Sequence, residues 1–399
     1  MSNLLGGGDL RAREHHRVED DARERGPLHA VTLPNGVEVQ VVTVGLELTR
    51  QLLTDQRLSK DSAALQREIK RQLAARGSTQ ENLAGLFGPS MLNSDNPQHA
   101  RLRALAVKAF NGRAVQQLAP RIEEITAELV DRLPAGRRID LVEELAVPMP
   151  LHVIGEVLGV PGPDRARVRA LIETMMSMDP EVSQPASDEL GGYFHALLTS
   201  EALDKTSLFG AVVAADDNGD RLSHDELMAM AFLLVVAGHE TSAGLIANVV
   251  HDALDNDLWE KAAADPGIIP ALVEETLRHN SPVRSATHRI TTEPVGIGGV
   301  QVPANTLLLI NLGAAGRCPR AHEDAVRYRL DRSTTGHASF GHGPHFCLGS
   351  ALARLETETV LRLLTARFPR ATYSGDGQPE VTHNDIMVSL KSLPVVLKG

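Results

Sequence analysis

The spacing of apolar positions along the chain predicts mainly helices, with a few strands between them. β-branched residues in near alternation indicate a strand over residues 36–44, and helical spacing follows over residues 46–53. Further helices are predicted over residues 98–133 with a break at 110–112, 141–158, 164–178, 188–200 and 224–255. Residues 290–312 contain short strands, and a last helix begins just after Cys347. The pattern predicts a mainly α fold with a small β portion, in one large domain.

Breaks in this pattern predict where the chain leaves the core. Residues 1–26 are polar and charged, and we expect them to form a leader ahead of a single domain that covers residues 27–399. Residues 178–180 and 183–187 are rich in proline and serine between two helical stretches. Such segments predict a loop, which would serve here as a lid beside Met175 and Met176.

The composition excludes several classes of protein. With 399 residues, of which 42% are hydrophobic, the chain can bury a sizeable core. A net charge of -11 and an aromatic content of 3% argue against nucleic-acid binding, which relies on basic surfaces and stacking rings. The two cysteines, Cys318 and Cys347, and the lack of an export signal predict a cytoplasmic protein without disulfides.

The longest apolar stretch, over residues 227–250, is long enough to cross a membrane. It contains His239, Glu240 and Asn248, and such polar groups are costly in lipid. We therefore expect a buried helix that carries functional polar side chains, and no association with a membrane.

A loop rich in glycine delivers Cys347 to the start of the last helix. Residues 340–356 read FGHGPHFCLGSALARLE. Amides at a helix N-terminus stabilise a thiolate, and glycines allow a flat ligand to approach closely. A lone cysteine is by default a small buried hydrophobe, and a zinc site would need further ligands that Cys318 and the scattered histidines do not supply. The surrounding loop favours a thiolate ligand.

This segment resembles the cysteine-ligand loop of the cytochrome P-450 family in its Phe, Gly, His, Cys and Gly positions and in the downstream Ala-Arg-x-Glu. The resemblance implies the cytochrome P-450 fold, with Cys347 as the metal ligand that holds haem b, iron protoporphyrin IX, from its proximal side. Phe340 and Gly349 match other cofactor-binding positions of that loop. Since no C-x-x-C-H sequence occurs, we expect the haem to be bound noncovalently.

Two further constellations match the family in order along the chain. Glu275 and Arg278 share a helix face; alone they would be a solvated ion pair, but they resemble the Glu-x-x-Arg element that locks the core beneath the haem. We expect a third partner, either His342 or Arg332. The resemblance also implies propionate binding by four residues, which by themselves would indicate only polar surface: His99, Arg103, Arg289 and His345.

The long apolar helix contains AGHETS over residues 237–242. Gly238 weakens a helix by about 1 kcal/mol relative to alanine, which suggests either a simple bend or a functional opening. The family places an acid and an alcohol over the haem here, so the resemblance implies that Glu240 and Thr241 are catalytic and deliver protons. Substrate-pocket walls are expected nearby: Leu233, Val236, Ala237, Val283 and Ala286.

The resemblance implies a monooxygenase that inserts one atom of O2 into a small apolar substrate, by hydroxylation or epoxidation, in bacterial secondary metabolism such as polyketide, macrolide or terpenoid tailoring. Electrons would come from NAD(P)H through a ferredoxin and a ferredoxin reductase, docking on a basic patch of Arg101, Arg103, Lys108 and Arg354. Alternatives are a noncatalytic haem sensor and a peroxide-using or rearranging haem enzyme. The chain departs from the family at Asn305, where glycine is usual, and at AAGRCP over residues 314–319.

Overall fold

A computed structural model describes Leu4 and residues 14–77, 89–176, 180–332 and 336–399. Within these ranges the helices are α1 (Glu14–Arg25), α2 (Leu46–Thr54), α3 (Ser62–Ala75), α4 (Gln98–Ala109), α5 (Gly112–Gln117), α6 (Ala119–Arg132), α7 (Pro148–Val157), α8 (Arg165–Met175), α9 (Pro180–Thr199), α10 (Leu208–Ala214), α11 (His224–Asp255), α12 (Trp259–Ala264), α13 (Ile269–Asn280), α14 (Leu312–Gly316) and α15 (Ser350–Arg367). A π-helical turn, Val142–Ala146, precedes α7, and a 3-10 turn, Gly343–His345, precedes α15.

Within the described residues, the strands are short and form four separate sheets. They are β1 (Leu28–Thr32), β2 (Glu38–Val42), β3 (Leu58–Ser59), β4 (Arg138–Asp140), β5 (Arg289–Thr291), β6 (Val295–Ile297), β7 (Val300–Val302), β8 (Leu307–Ile310), β9 (Arg370–Tyr373), β10 (Val381–His383), β11 (Val388–Leu390) and β12 (Pro394–Lys398). The largest sheet has the order β1-β2-β8-β5-β3, in which β2 and β8 run parallel with Val41 opposite Leu309. The predicted strand and the strands expected within residues 290–312 are confirmed.

Helix α11 runs through the core of the helical part. Ser223 and Glu226 form a capping box at its start, which satisfies amides that the first turn leaves unpaired. Its second half is buried continuously and packs against α7, α13 and α15. The helix is long and apolar enough to cross a membrane, but its packing inside the fold is that of a core helix, as the polar residues within it predict.

Helix α1 lies within the segment predicted as a leader and is packed against the domain. Glu19 is buried and bonds to Arg284 and to Asn311. Asp20 accepts from Arg317 at 2.7 Å. These contacts hold the last part of the predicted leader on α14 and its neighbours, and the boundary at residue 27 stays a prediction.

The loop predicted over residues 183–187 is wrong, because those residues lie inside α9. Pro185 occupies the second turn, where it removes one backbone hydrogen bond. The helix continues because Leu190, Phe194 and Leu197 recur at helical spacing and are buried in the core. Met178 and Asp179, also in the predicted lid, lie outside the described residues.

Two departures from the family pattern have simple structural reasons. Asn305 has a φ of 59°, a left-handed conformation that asparagine tolerates better than other residues with a side chain. Cys318 is buried, and a Cβ added at Gly45 would lie 3.2 Å from its Sγ. Cys318 is thus a small packing residue beside a glycine.

Candidate active site

The loop before α15 is closed by its own backbone and presents Cys347. The amide of Cys347 donates to the carbonyl of Phe340 at 2.8 Å, and that of Phe346 donates to Gly343 at 3.0 Å. Gly341 and Gly343 have φ values of 74° and 72°, which side chains rarely adopt. The glycines that the sequence singles out are therefore required by the shape of this loop.

The side chain of Cys347 is exposed, although the atoms of the fold around it still desolvate its thiol. Burial raises the pKa of this thiol, while the amide of Gly349 and the charges of Arg103 and Arg354 act to lower it. Gly349 caps the start of α15, so a partial positive charge lies at the sulfur. The surroundings fit a thiolate that gains its charge partner from a bound metal.

The four residues predicted to bind propionates come together beside this loop. The rings of His99 and His345 are 3.9 Å apart. Arg289 is buried and donates to the carbonyls of Leu53 and Leu58, both at 3.2 Å, rather than to an acid. Burial, and then the nearby cations, lower the pKa of His345 to about 2. Arg103 is among those cations.

Lys60 belongs to the same cluster, and the sequence analysis missed it. Its side chain is buried, and its Nζ bonds to the hydroxyl of Thr287. Burial and the neighbouring Arg289 hold the pKa of Lys60 well below its ordinary value. A single lysine after a short strand reads as exposed, because lysines are almost never fully buried without a partner. No sequence signal distinguishes it.

The cluster lacks enough acceptors for its donors. Among the described residues, neither the Nε of Arg289 nor the Nε2 of His99 has a hydrogen-bond partner, and Asp95 is the acid that acts on Lys60 and Arg289 most strongly. Asp95 itself accepts from Ser59 and from the Lys60 amide. Buried cations without counter-charges are costly. Two carboxylates, as haem carries, fit the residues present.

The middle of α11 is the part of that helix with exposed apolar side chains. Val236 is 42% exposed although it lies within the core helix, and Ala237 is exposed too. Leu233 in the preceding turn is half-buried, as are Val283 and Ala286 on the segment before β5. Such exposure inside a fold is expected of the walls of a cavity. The five predicted wall residues share it.

A hairpin tip adds a wall that the sequence analysis did not include. The carbonyl of Ile386 accepts from the amides of Arg284 and Ser285, at 2.8 and 3.0 Å, and Val283 is bridged to Met387. The tip is therefore held against the segment that carries two predicted wall residues. The hairpin tip is far from this segment in the sequence, so the spacing of residues along the chain could not predict the contact.

Glu240 and Thr241 follow the exposed part of α11. Burial raises the pKa of Glu240, so its carboxyl is suited to hold and release a proton. The hydroxyl of Thr241 donates to the carbonyl of Ala237 at 2.6 Å. Its oxygen is left free to accept a hydrogen bond from a group in the cavity.

A second buried acid contacts α11 from α15. Glu356 is 3% exposed, its Oε2 has no partner, and the hydroxyl of Ser242 interacts with its carboxyl. Burial raises the pKa of Glu356 to about 8. The sequence analysis used this residue only as part of a motif, because its neighbour Ser242 lies on a distant helix.

The Glu-x-x-Arg pair is buried and has a third member. Glu275 and Arg278 are joined at 2.7 Å and are nearly inaccessible. Arg278 also donates to the carbonyls of Gly316 and Ala325, at 2.9 and 2.8 Å. Of the two candidates, Arg332 completes the group: its Nε donates to Glu275 Oε1 at 3.1 Å. His342 is not the partner.

The predicted basic docking patch is wrong for most of its members. Arg101 pairs with Asp220 and Glu226, Lys108 with Asp217, and Arg354 with Glu274, all within 2.8 Å. Asp217 and Asp220 come from the segment before α11, which folds back onto α4, and Glu226 lies in the first turn of α11. Arg103 is the one of the four that no carboxylate of the described residues pairs with, and it lies near Cys347.

Comparison with known proteins gives similarity over nearly the whole chain. The family model described as Cytochrome P450 matches residues 267–398. Cytochrome P450 107B1 from Saccharopolyspora erythraea is 40% identical over 92% of this chain and 91% of its own length. Cytochrome P450 monooxygenase PikC from Streptomyces venezuelae is 40% identical over 94% and 88%. The solved structure of Bacillus subtilis PksS, from the bacillaene polyketide synthase, has a TM-score of 0.85 and 29% identity, covering 97% of this chain and 98% of that one.

Proposed function

Because this chain belongs to the cytochrome P-450 family, we propose that the thiolate of Cys347 would hold the iron of its haem b. The chain is a monooxygenase, which inserts one atom of O2 into an organic substrate and reduces the other to water with two electrons and two protons. The observation that carries the assignment is that Cys347 is exposed and lies at the start of α15, where Gly349 is the N-cap residue. Cys318, by contrast, is buried against Gly45.

When bound, haem supplies the activation of O2, and the side chains around it hold it in place. We assign the propionates to His99, Arg103, Arg289 and His345, because they converge, and because Arg289 Nε and His99 Nε2 have no acceptor among the described residues. Phe340 and Gly349, in the Cys347 loop, would contact the macrocycle. Glu275 and Arg278 would brace the chain ahead of the loop, because Arg278 donates to the buried carbonyls of Gly316 and Ala325.

Protons would reach the active site through α11. Glu240 holds a proton more readily than an exposed glutamate, since burial raises its pKa. Thr241 donates to Ala237, so its oxygen is free to accept from a water or from a protonated group in the cavity. The pair can thus pass a proton from Glu240 toward the substrate side of the helix.

The substrate would be a small apolar molecule of bacterial secondary metabolism, of polyketide, macrolide or terpenoid type. The five wall residues carry no polar group: Leu233, Val236, Ala237, Val283 and Ala286. A solved structure similar to this chain is that of a polyketide-synthase cytochrome. A screen of such compounds for the spin-state shift of the Soret band would identify those that displace water from the iron.

Electrons come from external redox partners, as in related bacterial enzymes. We propose that these are a ferredoxin and a ferredoxin reductase fed by NAD(P)H, in the cytoplasm. Arg101, Lys108 and Arg354 are each paired with an acid of this chain. Docking of the ferredoxin would therefore depend less on ionic strength than it would if these side chains formed a free basic patch. Steady NADPH consumption with surrogate partners would separate this function from a haem sensor and from a peroxide-using enzyme.

The ligand assignment is tested by the ferrous–carbon monoxide spectrum of two variants. Cys347→Ser should lose the thiolate Soret signature, because the hydroxyl is a much weaker ligand for this role. Cys318→Ser is the matched control and should keep it. If the first variant kept the signature and the second lost it, the ligand would be Cys318 and the assignment of Cys347 would be wrong.

A further inference from the structure

A cavity of about 550 Å3 lies beside α1, apart from the haem and substrate walls. Helix α1 borders it through Arg17 and Asp20, and the segment before the Cys347 loop borders it through Arg327 and Tyr328. The volume falls within the range of small-molecule sites, which is roughly 300–1,000 Å3. The cavity is too large for a single small ion.

Guanidinium groups outnumber carboxylates around this cavity. Arg17, Arg317 and Arg327 line it, and Asp20 is the acid among its described walls. Asp20 already accepts from Arg317 at 2.7 Å and from Arg23 at 2.9 Å. Among the described residues, no carboxylate is paired with Arg17 or Arg327. This excess of positive charge is unexpected in a chain with a net charge of -11.

The inner wall is also rich in nitrogen and poor in acceptors. The Nη1 of Arg317 lies 3.2 Å from His16 Nδ1 and 2.9 Å from His279 Nε2. Burial foremost, with the charge of Arg317 among the lesser causes, holds the pKa of both histidines well below the ordinary value. The Nε of Arg317 has no partner among the described residues. Both imidazoles are therefore neutral, and the charge at this wall is that of the arginine.

We propose that this cavity binds a small molecule with clustered anionic oxygens, either a phosphorylated or a polycarboxylate compound. Arg17 and Arg327, which no carboxylate of the described residues pairs with, would donate to it, and Arg317, already paired with Asp20, would lie in the wall beside them. Guanidinium groups suit this role because their planar donors match phosphate and carboxylate oxygens. The ligand would supply the counter-charge that the described residues lack.

Arg327 links this cavity to the buried pair of Glu275 and Arg278 and to Arg332. The carbonyl of Arg327 accepts from Arg278 Nη2 at 3.0 Å and from Arg332 Nη2 at 3.1 Å. A ligand held by the side chain of Arg327 would therefore restrain the backbone that braces the buried Glu275 group. Because a ligand stabilises the state that binds it, occupancy should raise the thermal stability of the holoenzyme.

Isothermal titration of the full-length holoenzyme with pyrophosphate and, separately, with citrate tests the proposal. Ionic strength is held constant with sodium chloride, so that general screening is the same in each arm. The variant Arg17→Gln/Arg327→Gln should bind at least about tenfold more weakly, since it loses two charged donors. Arg113→Gln/Arg137→Gln, at two exposed arginines elsewhere, is the matched control and should bind as wild type does.

The two arms separate phosphate from carboxylate recognition: binding in either, with loss in the first variant alone, supports the site. Equal binding by wild type and the cavity variant, or no binding of either anion, overturns it. If neither anion binds and the cavity variant slows reduction by ferredoxin, the surface docks an acidic protein and the small-molecule proposal is wrong. The carbon monoxide spectrum of the variant should stay normal, so failure here leaves the assignment of Cys347 untouched.

Discussion

The Nε of Arg332 lies 3.1 Å from Oε1 of Glu275, which joins the segment before the Cys347 loop to the buried pair on α13. Glu275 is fully buried, and each donor to its carboxylate offsets part of the cost of that burial. Arg332 also donates to the carbonyls of Glu323 and Asp324. One side chain thus ties an irregular segment to a helix.

Arg332→Gln should destabilise the protein by about 2 kcal/mol, because it removes one charged donor from the buried carboxylate of Glu275. Arg278 would remain as the other charged donor to that carboxylate. Urea unfolding followed by circular dichroism measures the change. His342→Gln is the matched control and should have little effect, since His342 does not contact the pair. A larger loss at His342 than at Arg332 would contradict the geometry.

Lys60→Met should have opposite effects on the apoprotein and on haem binding. A buried lysine without a counter-charge costs free energy, so the apoprotein should become more stable. The holoprotein should release haem about tenfold faster if Lys60 donates to a propionate. Urea unfolding of the apoprotein and haem transfer to apomyoglobin measure the two effects.

Lys70→Met, on the exposed face of α3, is the control for the lysine substitution and should change neither quantity. Arg103→Ala and Arg289→Ala should also speed haem release, and their double variant more so. If the double variant and Lys60→Met both retained haem as wild type does, this cluster would not be the one that binds the haem propionates.

Thr241→Ala and Glu240→Gln should fail in different ways. Thr241→Ala should keep NADPH consumption but divert electrons to hydrogen peroxide, because the group that positions water in the cavity is lost. Glu240→Gln should slow turnover itself, since the amide cannot release a proton. Product, NADPH and peroxide are measured together with a substrate found by the Soret screen. Near-normal coupling and turnover in both variants would mean that protons arrive by another route.

Glu356→Gln should gain stability relative to wild type as the pH rises. Burial raises the pKa of Glu356 from its ordinary value to about 8, so its protonated form is the one that the fold favours. The stability contributed by that protonation is fully present below the unfolded pKa and is lost as the pH rises through about 8. The side-chain amide of the Glu356→Gln variant does not titrate in this pH range, so the variant does not lose stability in this way.

Urea midpoints of wild type and Glu356→Gln at pH 5.5 and 8.5 check this prediction, with exposed Glu260→Gln as the control. The difference between the two proteins should grow in favour of the variant toward the higher pH. A difference that is the same at both values would show that Glu356 titrates normally in the folded protein.

Local sequence determined the elements whose signals lie within a few residues. The glycines around Cys347 indicated a tight loop because their backbone angles are a local requirement, and Gly341 and Gly343 have the positive φ that this implies. Apolar spacing defined α11 to its ends, since a core helix needs a continuous apolar surface. Four propionate-binding candidates were found because the family motifs keep them at recognisable positions.

Tertiary structure decided what depends on partners far apart in the chain. The sequence alone predicts that Lys60 is a surface residue. In the structure Thr287 and Arg289, more than two hundred positions away in the chain, lie beside its buried side chain. The sequence does not distinguish Arg101 from a free cation, but in the structure it pairs with Asp220, before α11, and with Glu226, in the first turn of α11. Burial and charge pairing are sums over neighbours in space, and sequence spacing defines those neighbours only within one helix or strand.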